Sequence, residues 1–356
     1  MTNVPGKNIL VTGINGYVGF AIAKSLLQAG YHVRGIVLPH EISKKLNPYD
    51  LEIFVGDILD EAFVAECVDS VDYVFHTASL YTATPFYASQ NPLLKRVNLE
   101  GTDNLLKCAL KAGVKKFIYT GSTGSIGVRE DGLPSDELVP FNHLSKRSQY
   151  EISKMEAENL VLSYHEKGLN VSSINPSFLV GEGDSRPSPT GEVILKFLNK
   201  TYPCYFDATI CLSDLTSVVE AHIAALRKAQ SGEKYIVAVD EIITIKEFFA
   251  LLHKISGIRP PRFKLPIRLL ILVAKVNELL LLIFGLKNKI RPLISYELLR
   301  YFTLGVSYSA DKAKRELDFI PTKLEDECRK AVRWFMLHGN VKKSSRIKYY
   351  RHIGKL

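Results

Sequence analysis

The chain has little of what a disulfide or metal scaffold needs. Its 356 residues hold five cysteines, Cys67, Cys108, Cys204, Cys211 and Cys328, odd in number and without a Cys-x-x-Cys pair. That spacing excludes a disulfide framework and a zinc site and fits a reducing compartment, so no metal is expected. No run approaches the ~20 largely uncharged apolar residues of a membrane span. There is no internal repeat and no low-complexity segment. The first strand signal starts too early to leave room for a secretory leader, and the expectation is a cytoplasmic protein. Acid is scarce at one end: Val341 to Leu356 carries Lys342, Lys343, Arg346, Lys348, Arg351 and Lys355 and no carboxylate. The net charge of +9 falls to +3 without those six. The folded part therefore does not call for nucleic acid. The tail reads either as a solvated end or as a contact with an anionic membrane surface.

What is present is a core. Hydrophobic residues make up 46% of the chain, enough for one large domain or two joined ones. The organising stretch is Lys7 to Gly19, KNILVTGINGYVG. Asn8 to Val11 reads as a buried strand, and Tyr17 to Ala29 as a helix with Val18, Ile22, Leu26 and Ala29 on one face. Between them stand Gly13, Gly16 and, at the helix start, Gly19. Strand, glycine turn and helix begin a nucleotide site: bare glycines admit a pyrophosphate to the backbone, and the helix N-terminus holds the anion. The spacing Thr-Gly-x-x-Gly-x-x-Gly is one residue longer at its front than the usual Gly-x-Gly-x-x-Gly.

Strand and helix signals then alternate. Strands are expected at His32 to Leu38, Leu51 to Val55, Val71 to His76, Lys116 to Thr120 and Asn170 to Ile174. Helices are expected at Asp60 to Val68, Asn91 to Ala112 and Lys146 to Lys167. The alternation predicts an α/β fold, a doubly wound parallel sheet with helices on both faces. Ligands belong beyond the C-terminal strand ends, where the glycine turn, Asp57, Ala78, Ser79, Ser122 and Pro176 fall. Residues 1–176 form the expected dinucleotide-binding domain. Residues 177–338 form a smaller substrate domain with some elements returning to the first, and residues 339–356 a basic tail. The smaller domain is expected to take Gly181 to Gly191 as a loop, Tyr235 to Val239 as a strand and Ile245 to Ile255 as a helix.

Leu269 to Phe284 is the most apolar stretch, interrupted by Lys275, Asn277 and Glu278. Two buried or lipid-facing helical pieces are expected rather than a span. Core, wall for a greasy substrate and peripheral membrane contact all stay open, the last supported by Lys287, Lys289 and Arg291.

Tyr150 and Lys154 stand four apart on a predicted helix and so share a face. Ser122 lies just beyond a strand end. Together they suit proton transfer: a nearby ammonium favours the phenolate, and a hydroxyl fixes the substrate oxygen.

At this point the chain resembles the extended short-chain dehydrogenases/reductases, within the NAD-dependent epimerase/dehydratase family, from Lys7 to about Pro321. The signatures run in order: TGINGYVG (12–19), GDILD (56–60), HTAS (76–79), VNLEGT (97–102), YTGSTGSIG (119–127), YEISK (150–154), INPSFLVGEGD (174–184) and SADKAKRELDF (309–319). Within that group it is most similar to dihydroflavonol-4-reductase-like proteins and the branch labelled hopanoid-associated sugar epimerase, through PSPTG (187–191) and DLTSVVEAHIAAL (214–226).

The resemblance implies a Rossmann-type fold and a role for each matching residue. Ser122, Tyr150 and Lys154 match the catalytic triad, with Lys154 also on the nicotinamide ribose. Gly13, Asn15, Gly16, Tyr17, Val18 and Gly19 match the pyrophosphate loop. Asp57 and Ile58 match the adenine contact, Ala78 and Ser79 the turn beside the phosphates, and Pro176 and Phe178 the nicotinamide segment. Asn98 matches a helix asparagine of structural role, and His76 reads as a packed histidine. At the end of the second strand Leu38, Pro39 and His40 carry neither the usual arginine nor the usual acid. Arg34, Lys44 and Lys45 would suit a 2′-phosphate and Glu41 would oppose it, so NADP(H) is favoured and NAD(H) stays open. The expected activity is reduction of a ketone or aldehyde, or oxidation of a secondary alcohol, on an apolar small molecule. A sterol-type dehydrogenase or decarboxylase is one variant. The alternatives are a nucleotide-sugar epimerase or dehydratase with tightly bound NAD, using Arg186, Lys196 and Lys200, and a non-catalytic NADP(H)-binding protein. A homodimer through the two long helices is implied by analogy.

Overall fold

The computed structural model describes residues 6–41, 43–81, 92–143, 147–284 and 296–355. Asn91, Lys146, Lys287, Lys289, Arg291 and Leu356 lie outside the described residues.

The alternation seen in the sequence becomes strands β1 (Asn8–Thr12), β2 (His32–Val37), β3 (Leu51–Val55), β4 (Tyr73–His76), β5 (Lys116–Thr120) and β6 (Val171–Pro176). Helices α1 (Tyr17–Gln28) and α2 (Glu61–Val68) lie between them, and α3 (Pro92–Lys95) leads through a π-turn, Arg96–Glu100, into α4 (Gly101–Lys111). Helix α5 (Gln149–Ser163) precedes β6. It ends short of the expected Lys167, where the chain turns through Tyr164 to Gly168 into β6. These six strands are parallel, and a seventh, β10 (Glu233–Val237), joins them in the order β10-β6-β5-β4-β1-β2-β3. The sheet is a Rossmann-type one, doubly wound about β1 and β4. Side chains of β1 alternate between two cores: Ile9 and Val11 meet α1, and Leu10 meets α2 and α4.

The sequence placed the strand near Tyr235 in the smaller domain. It belongs to the large sheet instead, because Tyr235, Ile236 and Val237 are fully buried and pair in register with Ile174, Asn175 and Pro176.

Most of the remaining elements pack around a separate core. They are β7 (Phe178–Val180), α6 (Pro189–Leu198), β8 (Cys204–Tyr205), β9 (Thr209–Asp214), α7 (Leu215–Lys228), β11 (Ile242–Thr244) and α8 (Ile245–Ser256). Then come β12 (Phe263–Lys264), α9 (Ile267–Ile283), α10 (Tyr296–Phe302), α11 (Asp311–Leu317), α12 (Leu324–His338) and α13 (Lys343–His352). Helices α7 and α11 return to the large sheet. The expected loop at 181–191 ends early, since Ser188 caps α6 through the Gly191 N–H at 3.1 Å and Pro189 opens it.

Two further expectations change. Leu269 to Ile283 lies in one continuous helix, not two pieces, and only one face joins the smaller core: Ala274 and Glu278 are buried, with Leu270 and Ile271 packed beside them. Its charges do not break it, because Lys275 turns over the Tyr296 ring and the Glu278 carboxylate accepts the Tyr296 N–H at 3.0 Å. The basic tail is not simply a solvated end. It forms α13, which buries Ser345 and Tyr349 against the smaller core. Among the described residues no helix is long and apolar enough to cross a membrane.

Candidate active site

The loops that follow β1 and β4 meet at the point where the sheet order reverses, the usual place for a ligand in an open α/β sheet. Gly13 has φ +66°, and a Cβ there would lie 2.8 Å from the Ala78 backbone nitrogen. Only glycine fits both conditions. A Cβ at Gly19 would meet the Thr77 hydroxyl at 2.5 Å, so α1 starts hard against the β4 turn. Thr12 ties the two loops together. Its Oγ1 accepts the Ala78 N–H at 3.2 Å, and its carbonyl accepts the Thr77 hydroxyl at 2.7 Å. Gly13, Asn15, Gly16, Tyr17, Val18, Gly19, Ala78 and Ser79 are thereby brought to one edge of the sheet. The cradle fits a pyrophosphate: bare backbone, a helix N-terminus and no acidic residue in the first turn of α1. The buried Asn15 Oδ1 and Tyr17 hydroxyl lack partners among the described residues.

His76, beneath this turn, is a packed residue. Both ring nitrogens are engaged, with Thr12 Oγ1 at 2.7 Å and Thr102 Oγ1 at 2.9 Å. Burial pulls it down to about 3, so the ring is neutral. Asp57 accepts the Leu59 N–H at 3.0 Å, and buried Ile58 packs where a Cβ of Gly101 would be.

The cations proposed for a ribose phosphate divide. Arg34 is spent elsewhere, on Glu52 at 2.5 Å and the Asp69 carbonyl, at the opposite edge of the sheet from the glycine turn. Exposed Lys44 has no ion pair among the described residues. Lys45 does reach the turn, donating to the Asn15 carbonyl at 2.7 Å. Glu41 pairs with Arg186 across the same edge, and the Asn15 amide donates to the Glu41 carbonyl.

Ser122, Tyr150 and Lys154 come together. Ser122 stands two residues past β5 in extended backbone, accepts the Gly124 N–H at 3.1 Å and lies beside Tyr150. Lys154, one turn further along α5, is buried, donates to the Thr120 carbonyl at 2.8 Å and lies over the Tyr119 ring at 4.3 Å. Burial pushes the Tyr150 phenol up to about 12, Glu151 adds to that, and the Ser122 hydrogen bond opposes it. The expectation that the Lys154 ammonium would set the phenol low is therefore corrected: desolvation wins. Burial also lowers Lys154 to about 7, and the Glu158 carboxylate works against that fall. Pro176 closes β6 and Phe178 opens β7 beside the site. Phe178 packs on Tyr301 at 5.4 Å and stacks on Phe302 at 6.2 Å, part of an aromatic cluster of the smaller core that runs on to Phe206.

Sequence reasoning missed the residues that hold this site. Arg147 is buried and pairs with Glu151 at 2.7 Å while donating to the Ile126 carbonyl at 2.8 Å. Ser148 and Glu151 form a capping box at the start of α5. The signal Ser-x-x-Glu was readable. Glu158, one turn beyond Lys154, accepts from Ser125 at 2.8 Å, Ser173 at 2.8 Å and Asn175 at 2.6 Å. The four-residue spacing from Lys154 was its only trace. Asn98, in the π-turn, bonds Leu80, Ser79 and Ser153. Arg186 and Lys196, considered for a substrate diphosphate, face Glu41 and Glu192.

Comparison with known proteins agrees with this architecture. A model of the NAD dependent epimerase/dehydratase family matches residues 9–238. A putative dihydroflavonol 4-reductase of Synechocystis sp. is 31% identical over 93% of this chain and 95% of its own. Sterol demethylase protein B of Methylococcus capsulatus is 28% identical over 93% and 99%. The crystal structure of gox2253 superimposes with a TM-score of 0.80 at 34% identity, covering 94% of this chain and 99% of the other. By the extent of these matches and by its sheet, the chain belongs to the NAD-dependent epimerase/dehydratase family of enzymes, in the extended short-chain dehydrogenase/reductase form.

Proposed function

We propose that this enzyme is an NAD(P)-dependent oxidoreductase that reduces a ketone or aldehyde, or oxidises the matching secondary alcohol, on an apolar substrate. The observation that carries this reading is the gathering of Ser122 and Tyr150 beyond the end of β5, one helical turn from buried Lys154. The hydride would be supplied or taken up by a bound nicotinamide. Tyr150 exchanges a proton with the substrate oxygen through its Oη. Ser122 Oγ hydrogen-bonds the same oxygen, and Lys154 Nζ would hold the nicotinamide ribose. A phenol held near 12 carries its proton at neutral pH and can give it to the substrate oxygen.

Residues 1–176 carry the dinucleotide on this reading, and residues 177–338 shape the substrate space, with β10 returned to the large sheet. Gly13 to Gly19, Ala78 and Ser79 hold the phosphates, Asp57 and Ile58 the adenine, and Pro176 and Phe178 the nicotinamide. NADP(H) is preferred, since Lys45 stands at the glycine turn and Glu41 is neutralised by Arg186. Half-buried Phe178, backed by Tyr301 and Phe302 of the smaller core, supports a largely apolar alcohol or ketone. The sterol class in the name of the Methylococcus relative is the first to try. The cytoplasm and a homodimer through α4 and α5 complete the proposal.

A nucleotide-sugar epimerase with resident NAD is the competing reading in this family. It needs cations for a substrate diphosphate, and of the three considered Arg186 and Lys196 already face acids, which leaves Lys200. Purified protein, stripped of nucleotide and titrated with NADPH and NADH, separates the two. Tight binding of added NADPH supports the reductase; stoichiometric NAD on arrival supports the epimerase. Tyr150→Phe is expected to keep NADPH affinity and to lower turnover at least about a hundredfold. Near-normal turnover would remove Tyr150 as the proton donor.

A further inference from the structure

Helix α9 has two apolar faces and only one is used. Ile267, Leu270, Ile271 and Ala274 turn inward to the smaller core. Leu269, Leu272, Val273, Val276, Leu280 and Ile283 follow the same helical period on the other side, each between 45 and 66% exposed. A stripe of this length left open to water is not the surface of a free-standing soluble fold. Phe263 and Phe284, at 73 and 69% exposed, extend it at either end.

The charge around the stripe is mainly basic. The single carboxylate on α9, Glu278, is buried and accepts a backbone N–H from α10. Arg268 and Lys275 lie on the helix, and Arg262 precedes it. All three are exposed, and none has an ion pair among the described residues. Lys264 is matched by Asp207 at 2.6 Å. Behind them Arg259 faces Lys348 of α13, whose ammonium is pulled down by its partial burial and by the like charges of Lys200 and Arg259. At 17 residues α9 is about 25 Å long, too short and too charged to cross a bilayer but suited to lie flat in one.

We propose that α9 is an interfacial anchor that seats the enzyme on an anionic phospholipid surface, its outward stripe in the acyl boundary and Arg262, Arg268 and Lys275 among the headgroups. The seat is continuous with the site. Helix α10 receives Glu278 of α9 at its first residue and presents Tyr301 and Phe302 to Phe178 at its last. The anchor does not depend on which reaction the site performs.

The test is co-sedimentation of the full chain with vesicles of phosphatidylcholine alone and of a three-to-one phosphatidylcholine–phosphatidylglycerol mixture, at about 0.1 M and about 0.5 M salt. The mixed vesicles are expected to bind at least about tenfold more tightly at the lower salt. Leu272→Glu combined with Val276→Glu is expected to lower binding to both vesicles by about tenfold or more. Arg262→Glu combined with Arg268→Glu is expected to remove the preference for the anionic lipid. NADPH titration of each variant checks that it is folded, and the arginine pair carries the test if the apolar pair does not fold. The proposal is overturned if wild-type protein stays in solution with both vesicles. It is equally overturned if folded variants bind as wild type does, or if the stripe instead mediates a salt-independent dimer that vesicles do not recruit.

Discussion

Asn98 donates from its side-chain amide to the Ser153 hydroxyl at 3.0 Å, and Ser153 in turn donates to the Tyr150 carbonyl at 2.8 Å. The same Asn98 accepts the Leu80 N–H at 2.7 Å and donates to the Leu80 carbonyl at 3.1 Å. One buried amide thus locks the turn after β4 to the helix that carries Tyr150. The π-turn at Arg96–Glu100 is what aims it there.

Asn98→Ala leaves several buried backbone and hydroxyl groups without partners. The expected cost is about 2–3 kcal/mol, read as a fall of about 5 °C in Tm. Turnover should fall by about tenfold while NADPH affinity changes little. An unchanged kcat in a folded variant would mean that the link does not position Tyr150.

Much of this was readable in the chain. The parallel sheet followed from alternating branched strands and amphipathic helices, and the cradle from Gly13, Gly16 and Gly19. Strand-end placement and a four-residue spacing made Ser122, Tyr150 and Lys154 the candidates for proton transfer. What could not be read is tertiary. Arg147 and Glu158 look like surface charges until folding buries them. Arg34 looked available for a phosphate, but its strand position sends it to the far edge. The apolar run at Leu269 gave no sign of which face would turn inward, because both faces are greasy.

Lys154 supplies a pH test. Burial lowers it to about 7, so its ammonium is present below that pH and is lost above it. A dinucleotide is an anion, and its affinity should weaken as pH rises past about 7. Glu158 holds the proton on Lys154. In Glu158→Gln the weakening should start about half a unit to one unit lower. NADPH titrations between about pH 6 and 9 measure this. Lys154→Met should show no such limb, and a limb that survives in that variant would place its origin elsewhere.

His76 and His222 set the acid limit of the fold. Burial lowers them to about 3 and about 4, below the ordinary value of 6.5. Above that value both the folded and the unfolded chain hold neutral rings and nothing is lost. As pH falls from 6.5 the unfolded chain takes up protons that the folded chain refuses, so stability drops until about pH 4 for His222 and about 3 for His76. Urea midpoints should therefore decline through this window. His222→Gln should flatten the decline while costing stability at pH 8, where its bond to Thr120 at 2.9 Å is lost. Parallel curves for the two proteins would show that His222 titrates normally.

The Arg147–Glu151 pair anchors the start of α5 where Tyr150 emerges. The Arg147 side chain has no exposed surface, and it also supplies the Asn142 carbonyl at 3.1 Å and the Ile126 carbonyl at 2.8 Å. Glu151 has a second task, accepting the Ser148 N–H at 2.8 Å. Arg147→Met removes one charge of a buried pair and leaves the carboxylate and two carbonyls behind, at an expected cost of about 3–5 kcal/mol. Adding Glu151→Gln to that variant neutralises the stranded carboxylate and keeps the cap acceptor, so it should restore about half of the loss. Urea unfolding of the single and double variants measures both terms. If Arg147→Met costs less than about 1 kcal/mol, the pair is not what fixes the helix start. The capping box and the hydrogen bonds of Asn98 would then have to place Tyr150 on their own.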